Sequence, residues 1–146
     1  MRYTFLTGFA GAAGLMLAAC SVFGQSVIRN AVPLQKTQWM LTWVDGTRVQ
    51  GTSPRQPFIE LDPATHRMSG FGGCNRLMGT YEMEGDHLRL TRTGRTLMAC
   101  AAGMDSEGKL VEALEQVREW KISDGELELR DAAGHDVARF TAAAQQ

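Results

Sequence analysis

Proline is scarce in this 146-residue chain, with four residues, and cysteine scarcer still, with three. With so few prolines and 44% hydrophobic residues, the chain is not wholesale disordered. Excess charge of either sign is missing too. Fifteen basic residues face sixteen acidic ones, a net charge of −1, so the basic stripe that nucleic-acid binding requires is not there. No Gly-Lys-Ser/Thr phosphate loop occurs, and the histidines and cysteines lack the paired spacing of a zinc site. What remains is enough apolar sequence for one globular domain with its own core.

The first nineteen residues read as an export signal. Arg2 supplies the positive start, and the charge-free stretch from Tyr3 to Ala19 is softened by Gly8, Gly11 and Gly14. A membrane span would need about 20 predominantly apolar residues and different flanks. The stretch closes on Leu17-Ala18-Ala19-Cys20, the pattern of a bacterial lipobox, in which the cysteine thiol is acylated (palmitate in many cases) before cleavage. The simpler alternative is an ordinary secretory signal with an incidental cysteine. With Ser21 where an aspartate would favour inner-membrane retention, this resemblance to bacterial lipoproteins implies the outer membrane, if the organism has two membranes, with the domain in the periplasm. From Cys20 onward the chain carries 14 basic and 16 acidic residues, with no polybasic cluster to add a second anchor. Residues 20–36 lack periodicity, contain Pro33 and read as a tether.

With Cys20 assigned to lipid, Cys74 and Cys100 remain. Two cysteines in an oxidising envelope are a candidate disulfide, the alternative being two buried free thiols.

The rest of the pattern, residues 37–141, is short and mostly alternating. Strands are expected at Trp39–Val44 (Trp39, Leu41 and Trp43 on one face), Phe58–Leu61, Arg67–Phe71, Met78–Glu84, His87–Thr91 and Arg95–Cys100. Glu84-Gly85-Asp86 reads as a hairpin turn. Leu110, Val111, Leu114 and Val117 recur at helical spacing and predict one amphipathic helix over about 104–119, with Asp105 and Glu107 near its positive end. Strands Trp120–Ser123, Glu126–Arg130 and His135–Thr141 follow, and residues 142–146 form a frayed tail. The expected class is therefore α+β, mostly β: about eight short antiparallel strands in a strongly curved sheet or partial barrel, with the helix packed on it.

The densest segment is Ser69-Gly70-Phe71-Gly72-Gly73-Cys74-Asn75-Arg76. A phosphate cradle needs a helix directly after the glycines, and Leu77 to Tyr81 look extended. A bulge or sharp bend fits better, with Asn75 in a tight turn bonding its own backbone. Cys74 as a nucleophile would need a base, yet His66, His87 and His135 each sit at strand ends beside turns. The carboxylate pairs Glu82/Glu84 and Glu126/Glu128 match solvated strand faces.

Ser-Gly-Phe-Gly-Gly-Cys-Asn-Arg, then Gly79 and Tyr81, Thr96-Leu97-Met98-Ala99-Cys100, and the helix from Met104 with Glu107 together resemble the META domain of HslJ-like bacterial lipoproteins. Trp39 and the closing Arg139-Phe140 fit the same family. The likeness spans about Lys36 to Thr141. One departure stands out: the family usually has Thr-Arg-Met-x-Cys, and Leu97 replaces that arginine here. If the arginine completes a polar site with Asn75 and Arg76, Arg95 would have to substitute for it. The resemblance implies an envelope protein linked to stress responses, with no established catalytic activity. The expectation is thus a non-enzymatic accessory module without metal or cofactor. It would be anchored through Cys20 and contact another envelope protein or polymer, with Gly72, Gly73, Asn75 and Arg76 as a partner-binding loop. The alternative is an inhibitor of a cell-wall hydrolase such as lysozyme, inserting that loop into the enzyme cleft.

Overall fold

The computed structural model describes residues 32–50 and 56–144. The signal segment, Cys20 and most of the tether lie outside the described residues. Nine strands and one helix follow in chain order. They are β1 (Trp39–Val44), β2 (Thr47–Arg48), β3 (Phe58–Asp62), β4 (Arg67–Phe71), β5 (Arg76–Glu84), β6 (His87–Arg95), α1 (Met104–Gln116), β7 (Glu119–Ser123), β8 (Glu126–Arg130) and β9 (Asp136–Ala142). All pairings are antiparallel, and the sheet closes on itself because β1 pairs with β9 as well as with β3. The ring is weakest where β6 meets β7, through the single pair His87 and Glu119.

Alternation along the strands drives this curvature. Ile59 and Leu61 of β3, Met68 of β4, Leu77 and Tyr81 of β5, and Leu88 and Leu90 of β6 all point inward and are buried. Phe58, Glu60 and Arg76 take the outer face. Helix α1 fills the interior, packing against β1, β6 and β9. Its stripe of Leu110 and Leu114, continued by Val117 just past its end, has no exposed surface, and burying such side chains stabilises by roughly 1.5–3 kcal/mol each.

Three expectations are corrected here. Trp43 does not share the inner face with Trp39 and Leu41. A bulge between Leu41 and Trp43, set by the pairing with β9, turns Val44 inward and leaves Trp43 half-exposed beneath the Arg139 guanidinium, 5.3 Å from its ring centroid. The expected strand Arg95–Cys100 does not form. β6 ends at Arg95, and the next residues are held by side chains instead of a ladder. The helix stops at Gln116, because Val117 takes an extended conformation (ψ 131°) that starts the turn into β7. The strand missed altogether is β2, a two-residue hairpin arm.

Candidate functional site

The glycine-rich segment leaves β4 and returns into β5 as a tight bend, with the Gly72 amide donating to the Asn75 carbonyl (2.8 Å). Opposite lies the start of α1. Glu107, three residues before Leu110, falls on the same inward stripe and is fully buried. A carboxylate there needs donors, and it has four. Its Oε2 accepts the backbone amides of Cys74 (3.1 Å) and Asn75 (2.5 Å). Its Oε1 accepts the Asn75 side-chain Nδ2 (2.8 Å) and the Arg95 guanidinium (3.1 Å). Burial pushes the Glu107 carboxyl up, but the Asn75 and Cys74 hydrogen bonds and the Arg95 charge outweigh it, so it titrates below the ordinary value.

Glycine is required on both sides of this contact. A Cβ on Gly72 would stand 2.4 Å from the Glu107 Cγ. Gly73 and Gly103 both have positive φ (118° and 89°), and a Cβ on Gly103 would come within 2.7 Å of the Gly73 oxygen. Two backbones therefore touch where the helix begins.

Asn75 uses its whole hydrogen-bonding capacity. Besides Glu107, its Nδ2 donates to the Met98 carbonyl (3.2 Å), while its Oδ1 accepts the Met98 amide (2.7 Å) and the Thr96 hydroxyl (2.9 Å). The expected bond to its own backbone is replaced by this fastening of the loop after β6. The same loop is tied a second time, because Cys74 and Cys100 form a disulfide. Closing a loop of this length stabilises by roughly 3–4 kcal/mol on the chain-entropy model.

This META-like segment of the sequence accordingly becomes a clamp of three elements: the glycine bend, the start of α1 and the loop 96–103. The family model for the META domain matches residues 32–144. The chain belongs to the META-domain family. Among solved structures, this META domain is similar to a protein from Burkholderia xenovorans determined by NMR, at 28% identity and a TM-score of 0.62, covering 77% of this chain and 85% of that one. A second NMR structure, at 22% identity and a TM-score of 0.59, covers 74% of this chain and 90% of that one and shows the shared fold. No curated protein matches the chain.

The residues singled out from the sequence divide sharply. Gly72, Gly73, Cys74 and Asn75 are buried, so the bend is internal, and only Arg76 faces outward. Leu97, where the resemblance leads one to expect an arginine, is 91% exposed, and the guanidinium that reaches Glu107 is that of Arg95. The histidines stay apart from the clamp: His66 stacks on Tyr81, His87 lies beside Asp86 and His135 beside Asp131. Glu82 and Glu84 are exposed, while Glu128 pairs with Arg130 (2.6 Å). Glu107 as the centre of the site was missed. Its signal was a carboxylate on the apolar stripe of an amphipathic helix.

Proposed function

We propose that this META domain is a non-catalytic binding module of the bacterial envelope, anchored through a lipid on Cys20 and serving a stress-related accessory role. The observation that carries the reading is the fate of the polar cluster. Each oxygen of Glu107 and each polar atom of the Asn75 side chain is bonded within the domain. Groups so buried and occupied turn no free donor or acceptor outward, and they hold an adjoining surface rigid. That surface includes Arg76, Leu97 and Met98. The burial of Gly72, Gly73 and Asn75 favours contact through this outer surface over insertion of the bend into a hydrolase cleft.

The test is crosslinking in cells of the native protein beside an Arg76→Ala/Leu97→Ala variant. An envelope component held by the native chain and lost by the variant is expected. Equal recovery from both would sink the surface assignment. Stoichiometric inhibition of lysozyme by the native protein would replace the reading with the inhibitor. Cys20→Ser is expected to abolish acylation, measured by palmitate labelling.

A further inference from the structure

The nine residues from Thr96 to Met104 contain no charged side chain. Leu97, Met98 and Met104 are 91%, 56% and 44% exposed, and Ala99, Ala101 and Ala102 are exposed with them. Water-facing apolar surface this contiguous marks a contact site. It is also held in place, since Asn75 grips both backbone groups of Met98 and the disulfide grips Cys100. A loop ordered before contact loses little entropy on making it.

One cationic side chain, Arg76, borders it on the sheet side, with the exposed Asp105 at its other end. The Arg76 amide and carbonyl bond Thr96, which places Arg76 at the root of the loop. Arg76 and Arg67 line one shallow groove of about 450 Å³ on the outer sheet face with Phe58, Phe71 and Met78. Neither guanidinium has a partner among the described residues. We infer that the loop 96–104 and Arg76 form a membrane-seating face that docks this domain onto an anionic lipid surface.

Chemistry selects lipid over protein. A protein hot spot is built on aromatic anchors fitted to pockets. Here the protruding residues are leucine, methionine and alanine, all aliphatic and without aromatics. Such side chains enter the boundary between headgroups and acyl chains, while the Arg76 guanidinium at their edge meets lipid phosphates. The inference deepens the binding-module reading and rests on it, naming the envelope component as the bilayer itself. It does not depend on acylation of Cys20.

The experiment uses the chain from residue 20 carrying Cys20→Ser, since every core residue among the described ones lies from Leu34 to Phe140. It is sedimented with vesicles of phosphatidylethanolamine containing about one quarter phosphatidylglycerol, and with phosphatidylcholine alone. Binding to the anionic vesicles is expected. Leu97→Asn/Met98→Asn should weaken it by about tenfold or more, and Leu97→Asn alone serves if the double variant is unstable. Arg76→Gln should weaken it several-fold on anionic vesicles only. Met83→Asn, at an exposed methionine outside this loop, should change nothing. Absence of vesicle binding, or binding indifferent to Leu97 and Met98, overturns the inference. If crosslinking then yields a protein partner lost with Arg76 and Leu97, the binding-module reading survives with a different occupant.

Discussion

Asn75 holds both oxygens of the Glu107 carboxylate, Oε2 through its backbone amide and Oε1 through its side-chain nitrogen. One residue of the glycine bend thereby fixes the position and rotation of a helix that is 32 residues away in sequence. Replacing Glu107 with alanine strands the Cys74 and Asn75 amides and the Arg95 charge. The expected loss is about 3–5 kcal/mol in chemical unfolding, the range for breaking a buried pair. Glu107→Gln keeps the volume but turns a donor toward one of those amides, so it should fall between alanine and the native chain.

Acidity probes the same group. Its folded value lies below the ordinary glutamate value of 4.5, so its contribution to stability is whole above that value. The contribution disappears as pH falls through the lower folded value. Asp136, held below its ordinary range by Arg139 and Arg130 against its burial, works in the same direction. The melting temperature of the native chain should be level near neutrality and drop in acid. The gap between native and Glu107→Gln should narrow over that drop, and a gap constant with pH would remove Glu107 from the effect.

Gly72→Ala places a methyl group 2.4 Å from the Glu107 Cγ. Glu107 cannot retreat without releasing its four donors. Overpacking of this kind costs about 1–3 kcal/mol. Gly85→Ala is a useful contrast: a Cβ there meets nothing within 4 Å, so its cost comes from the positive φ of 61° alone. Thermal unfolding of the pair separates crowding from backbone strain.

Arg95 and Leu97 can be compared directly. Arg95→Gln removes the cation beside a buried carboxylate and should cost about 1–3 kcal/mol in urea unfolding. Leu97→Arg places a second guanidinium at a solvent-facing position. It should alter stability by less than about 0.5 kcal/mol, as surface changes do. A rescue of Arg95→Gln by Leu97→Arg would show that the loop can turn to deliver the second guanidinium.

The fold was legible where local rules act alone. Strands β3, β4 and β8 and the Glu84–Asp86 turn follow from alternation and turn chemistry within a few residues. The failures share a cause. Trp43 faces outward because its pairing with β9, about a hundred residues downstream, imposes a bulge. The stretch 96–100 looked like a strand, yet its backbone is held by Asn75 and Cys74. In the sequence Glu107 stands out only for its place near the helix dipole, while its burial depends on donors from a bend over thirty residues earlier. Long-range partners decide all three, and periodicity carries no record of them.

The ring closes where Trp39 pairs with Ala142, and the Ala143 amide donates to the Gln38 carbonyl (2.9 Å). Among the described strands, the first to be synthesised therefore waits for the last. Until Phe140 and its neighbours are available, Leu41 and Val44 have no wall to pack on, and both margins of the growing sheet stay open to stray pairing. A stop within β9, before Phe140, would thus damage the domain's beginning as much as its end. The meeting of the two ends also makes them interchangeable in principle. A short splice from residue 143 to residue 38 would preserve every strand neighbour while moving the chain break to a turn such as Asp124-Gly125.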